Sequence, residues 1–159
     1  KDKPRHDPPI VDGLEIEIKT KISNIFREHG KPDIVIVSPF LRTRQTYIVF
    51  KEMLDTETKI IIDKNVEEYL GFQRPYGKIA DLDGETYKYT VPKLGKEKLT
   101  MLDNRSKDFL KKYKDSDKKI LVITHGIFIN YVSKNLNFPL SRISELEGIV
   151  YKKNLTQKA

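Results

Sequence analysis

Ile120-Leu121-Val122-Ile123-Thr124-His125-Gly126 constrains this chain more than any other stretch. Four consecutive large aliphatic residues follow Lys118-Lys119, too short a run for a helix, and predict a strand buried on both faces inside a parallel sheet. The run breaks at Thr-His-Gly, and the helical apolar pattern of Ile127, Phe128, Tyr131 and Val132 begins at once. His125 therefore stands past the carboxyl end of a strand and at the amino end of a helix. Open α/β sheets place ligands at that edge, and the helix end attracts anions. The same histidine could equally do no more than cap the helix, and this stretch alone leaves both readings open.

A second stretch repeats the arrangement. Asp33-Ile34-Val35-Ile36-Val37 reads as a buried strand ending at Ser38-Pro39-Phe40-Leu41-Arg42-Thr43-Arg44-Gln45-Thr46, with a helix continuing through Ile48, Val49, Met53 and Leu54. Arg42 falls in the first turn of that helix, where a cation opposes the dipole and an anion would compensate it. An arginine fork matches phosphate oxygens in pairs. Arg44 is expected to be a surface arginine in a salt bridge.

The rest of the chain fits the same plan. Lys1 to Pro9 is an extended, proline-containing loop. Leu14, Ile18, Ile22, Ile25 and Phe26 share one helical face, although Leu14 to Ile18 also alternates as a strand start would. His29-Gly30-Lys31-Pro32 ends that element, with His29 read as a capping residue. Lys59-Ile60-Ile61-Ile62 predicts a third strand, leading into Asp63 and the Glu67-Glu68 pair, of which one carboxylate could face a pocket and its neighbour water. Residues 73–99, with Tyr76, Tyr87 and Tyr89, form an irregular insertion of the kind that covers substrates. Met101, Leu102, Arg105, Phe109 and Leu110 mark a further helix, and Ile143 to Tyr151 a last element ending in a short strand. The tail from Lys152 to Ala159 is expected to be loose.

The 159 residues amount to one domain with room for a core. No apolar run approaches the ~20 residues that a membrane-crossing helix needs, and no leader pattern is visible, so neither membrane nor secretion is expected. The absence of cysteine rules out disulfides and thiolate metal sites, and fits a reducing, cytoplasmic compartment. A net charge of +7 favours anionic ligands. The lysines are dispersed and no aromatic–basic motif accompanies them, so nucleic acid is not the expected partner.

The Ser38–Thr46 stretch resembles the second signature of the histidine phosphatase superfamily, the phosphoglycerate mutase-like fold, and Ile120–Gly126 resembles its late strand-and-histidine signature. Val66-Glu67-Glu68 between them is similar to the family's acidic segment. Gly84-Glu85-Thr86 with Arg105 resembles its Gly-Glu-Ser and helix arginine, and Asp7-Pro8-Pro9-Ile10 resembles its Asp-Pro-Pro turn. The resemblance covers nearly the whole chain. It implies a single domain over 1–159, a three-layer α/β/α sandwich with a mostly parallel sheet. It also implies a metal- and cofactor-independent phosphomonoester hydrolase acting through a phosphohistidine on a phosphorylated small molecule or phosphoprotein. By resemblance, Arg42 and His125 bind the phosphoryl group and Glu68 protonates the leaving oxygen, with Glu67 and Asp63 as further candidates.

One element departs from the pattern. The family's nucleophile belongs to an Arg-His-Gly closing a first buried strand, upstream of the Asp-Pro-Pro turn. Here Arg5-His6 adjoins that turn and follows Lys1-Asp2-Lys3-Pro4, which is no buried strand, so the pair reads as a chance occurrence in a loop. The expectation is that a first strand precedes Lys1, because a parallel sheet lacking it would leave backbone groups unpaired. Two other functions remain open: a catalytically inactive phosphate- or phosphoprotein-binding module of the same fold, and a phosphoglycerate mutase.

Overall fold

The computed structural model describes residues 13–69, 71, 97–138, 148–152 and 155–158. The insertion between 73 and 96 with its tyrosines, the Gly84-Glu85-Thr86 segment, Arg5-His6 and the Asp-Pro-Pro turn lie outside the described residues.

Three parallel strands form the sheet: β1 (Ile34–Val37), β2 (Lys59–Ile62) and β3 (Ile120–Ile123), in the order β2-β1-β3. The pairing is in line, with Val37 opposite both Ile62 and Ile123. Alternation along the strands splits their side chains between two cores. Val35, Val37, Ile60, Ile62, Leu121 and Ile123 point to one face, packed by helices α1 (Glu15–His29) and α2 (Leu41–Phe50) through Ile18, Ile22 and Phe50. Ile34, Ile36, Ile61, Ile120 and Val122 point to the other, packed by α3 (Leu99–Tyr113) and α4 (Gly126–Asn135) through Leu102, Phe109, Leu110, Phe128 and Val132. The result is the expected three-layer α/β/α sandwich.

Local chemistry sets the element ends. The stretch that could have begun as a strand is helical from Glu15, with acids Glu15 and Glu17 in its first turn and Arg27 and His29 in its last, matching the dipole. Gly30 closes α1 at φ 85°, a left-handed conformation that favours glycine, and its N–H donates to the Phe26 carbonyl at 2.8 Å. On α3, Leu102, Arg105, Ser106, Phe109 and Leu110 recur at three- and four-residue spacing and are all buried. An arginine thus occupies a core-facing position.

Two expectations need correcting. The strand Ile120–Ile123 is only half-buried, whereas Val35, Ile36 and Val37 of β1 are fully covered. β1 has a strand on each side; among the described residues β3 is paired along one edge only. The tail is not loose: β4 (Ile149–Lys152) and β5 (Leu155–Lys158) pair antiparallel as a separate two-stranded sheet. Among the described residues no helix is long and apolar enough to cross a membrane.

Ile36→Ala should lower the unfolding free energy by about 2–5 kcal/mol, since the cavity opens in the middle of the sheet. Ile16→Ala, at a site 77% exposed, should change it by less than about 0.5 kcal/mol. Urea titration of both variants checks the contrast.

Candidate active site

The strands are parallel and in register, so their polar successors emerge together at one sheet edge: Ser38 after β1, Asp63 after β2, Thr124 and His125 after β3. The chain leaving β1 turns to the α1–α2 face through α2, and the chain leaving β3 turns to the opposite face through α4. Neighbouring strands whose connections diverge in this way open a crevice between them. Ser38 and His125 meet there, with Ser38 Oγ 2.7 Å from His125 Nε2 and both residues buried.

Several contacts hold this pair. The Ser38 amide donates to the Ile123 carbonyl at 3.0 Å, while Phe40 N–H donates to Ser38 Oγ at 3.3 Å. The Thr43 hydroxyl donates to the Ser38 and Phe40 carbonyls, both at 2.8 Å. The Phe40 ring lies 5.0 Å from the His125 ring, and the Arg42 guanidinium stands 5.5 Å from the Phe40 centroid. Burial, together with the positive charges of Arg42 and Arg105, holds His125 well below its ordinary pKa of 6.5. His125 is a neutral imidazole at neutral pH.

Glu68 comes from the irregular segment that follows a 3-10 turn at Lys64–Val66. Its Oε1 accepts from Tyr69 N–H at 2.9 Å and Phe128 N–H at 3.3 Å, and its Oε2 from Ile127 N–H at 3.5 Å. The amino end of α4, which the sequence marked as an anion seat, therefore holds a carboxylate of the protein itself. Burial raises the Glu68 pKa above its ordinary 4.5, and this outweighs the lowering by those amides and by Arg42. Arg42, in a first turn of α2 that itself carries no acidic residue, acts electrostatically on both other candidates.

The remaining candidates divide. Asp63 caps the 3-10 turn, its Oδ1 accepting from Asn65 N–H at 2.9 Å. Glu67 does not face water; it is fully buried, so the expected division of the Glu67-Glu68 pair between pocket and solvent does not hold. Arg44, expected at the surface, is 1% exposed: it follows Thr43 on the inward side of α2. Among the described residues no cluster of three His, Asp or Glu side chains is arranged for a metal ion. Sequence reasoning missed the pairing of Ser38 with His125. The signal was present, since each closely follows a predicted parallel strand, but only the order β1-β3 makes those strands neighbours.

Taken together, the edge carries a cation, a neutral imidazole and a carboxyl group tuned toward protonation. Such a set binds an oxyanion and delivers a proton. The two pKa shifts act oppositely on stability. His125, lowered in the folded protein, contributes stability that is full above pH 6.5 and is lost as pH falls below it; Glu68, raised, contributes stability that is full below pH 4.5 and is lost as pH rises above it. His125→Asn should therefore abolish the rise in stability toward pH 6.5, leaving only the opposite trend of Glu68. Thermal midpoints between pH 4.5 and 7.5 check the sign.

The fold has solved neighbours. In its fold the chain is similar to the ecdysone phosphate phosphatase from Bombix mori, solved in complex with tungstate, with a TM-score of 0.59 at 16% identity. The match takes in 96% of this chain and 65% of that one, so the chain spans about two-thirds of that protein's length. No protein of curated function matches the chain in sequence. The family model of the histidine phosphatase superfamily, branch 1, matches residues 20–150, a span that runs from within α1 to β4 and takes in Ser38, Arg42, Glu68 and His125. The chain belongs to the histidine phosphatase superfamily.

Proposed function

We propose that this protein hydrolyses phosphomonoesters through a phosphohistidine, with Arg42 and His125 binding the phosphoryl group and Glu68 donating the proton to the leaving oxygen. The observation that carries the reading is the convergence of these three residues, from α2, the segment after β2 and the end of β3, on one sheet edge. Phosphoryl transfer asks mainly for positioning and positive charge on the equatorial oxygens, plus a proton for a poor leaving group. Arg42 supplies the charge. Glu68, with its raised pKa, keeps a proton to higher pH than a solvated carboxyl would. His125, neutral and held in place by Ser38, brings a fixed ring to the same edge for the phosphoryl group. None of these roles calls for a metal. None of the three residues placed here takes the attacking role, which in the family falls to the histidine of an Arg-His-Gly.

The substrate is a phosphorylated small molecule or a phosphoprotein. The phosphatase that this chain is similar to in fold is named an ecdysone phosphate phosphatase, which supports a phosphorylated small molecule as the substrate class. A catalytically silent phosphate-binding module is the second reading, separated from the first by saturable phosphate or vanadate binding without turnover.

Arg42→Ala and His125→Ala should each lower p-nitrophenyl phosphate hydrolysis by about 10²–10³-fold, and unchanged turnover in both would overturn the assignment. Glu68→Gln should separate substrates by leaving group. Hydrolysis of an alkyl phosphate, whose alkoxide needs the proton, should fall far more than that of p-nitrophenyl phosphate, whose phenolate leaves without it. Parallel kcat measurements on the two esters, with and without EDTA, check both this and metal independence.

A further inference from the structure

Residues 65 to 68 lie outside the sheet, so their carbonyls have no ladder to join. They are satisfied from elsewhere. Arg105 Nη1 donates to the Asn65 carbonyl at 2.7 Å and the Glu67 carbonyl at 2.9 Å, and Nη2 to the Glu68 carbonyl at 3.4 Å. Thr124 Oγ1 donates to the intervening Val66 carbonyl at 2.5 Å. On its other side the Arg105 guanidinium meets Glu97 as a fork, Nε to Oε2 at 2.7 Å and Nη2 to Oε1 at 2.9 Å. These contacts account for all five of its N–H groups. The guanidinium also stands 5.5 Å from the centroid of Phe128, whose own N–H donates to Glu68 Oε1.

These contacts form a closed circuit: Arg105 to the Glu68 main chain, the Glu68 carboxylate to the first turn of α4, and the Phe128 ring back to Arg105. We propose that Arg105 is a positioning residue for Glu68, holding its backbone so that the carboxylate stays against the amino end of α4 beside His125, with Glu97 aiming the fork. The inference rests on the reading of Glu68 as the proton donor. Only an arginine supplies the planar array of donors required; a lysine has three donors on one nitrogen and cannot span carbonyls and carboxylate together. The competing view is that Arg105 merely satisfies buried carbonyls, with no bearing on where the Glu68 carboxylate rests.

Arg105→Lys in the full chain separates the two. NMR titration of the Glu68 side-chain carboxyl should show its midpoint falling toward 4.5, the value of a solvated glutamate, while other glutamates keep theirs. With an alkyl phosphate, kcat should fall by about tenfold or more with KM within about threefold, as expected for a misplaced proton donor. In a Glu68→Gln background the same substitution should add no further loss, because both changes act through one group. An unmoved Glu68 midpoint, or an equal loss of turnover in both backgrounds, would overturn the proposal. Should Arg105→Lys fail to fold, Glu97→Gln must move the midpoint in the same direction by a smaller amount, and no movement there overturns it as well. A wild-type protein that hydrolyses no phosphate ester would remove the phosphatase reading alone, since the titration still decides whether Arg105 places Glu68.

Discussion

The in-line parallel pairing of β1 with both β2 and β3 is the constraint from which the rest of the structure follows. Because Val37 lies opposite both Ile62 and Ile123, the three strands end at one level and hand over to Ser38, Asp63 and Thr124 together. A one-residue slip would reverse the inward and outward sets of a whole strand and break both cores. Apolar packing on the two faces therefore fixes the register, and the register fixes which polar residues can meet. The site is a consequence of hydrophobic alternation several residues away from it.

Charge is distributed at that edge so that each group keeps the next in a useful state. Burial, with Arg42 and Arg105 behind it, holds His125 neutral; burial holds Glu68 toward its protonated form against the pull of three amides and Arg42. A carboxylate on a helix amino end would ordinarily be ionised more readily than in water. Here desolvation outweighs the dipole, and the Glu68 carboxyl keeps its proton to higher pH than a solvated one.

Residues 65–68, after β2, show how irregular backbone is held in place. Four successive carbonyls, from Asn65 to Glu68, are received by just two side chains, Arg105 and Thr124. Thr124 adjoins His125, and Arg105 lies one helical turn below Leu102 on the buried stripe of α3. The carboxyl-bearing segment is thus tied to the strand that carries the histidine and to the helix that covers the core. Glu97 balances the buried guanidinium charge, which would otherwise be costly to desolvate.

Much of this was legible in the residues. The aliphatic runs at Ile34–Val37, Lys59–Ile62 and Ile120–Ile123 could be little other than strands. The residues following them could be little other than turns into helices, because a period of two gives way to one of 3.6. Arg42 in a first helical turn and His125 past a strand end stood out for the same reason, as charge and polarity where local rules disfavour or reward them. Arg105 was marked too, as an arginine in the apolar spacing of Leu102, Phe109 and Leu110. Local periodicity carried no information about strand order, however. Only the tertiary structure set β3 beside β1, joined Ser38 to His125, buried Arg44 and Glu67, and seated Glu68 on α4. Periodicity is a property of neighbours in sequence, whereas burial and pKa depend on residues brought together from some thirty to ninety positions apart, as Arg105 to Glu68 and Ser38 to His125 are.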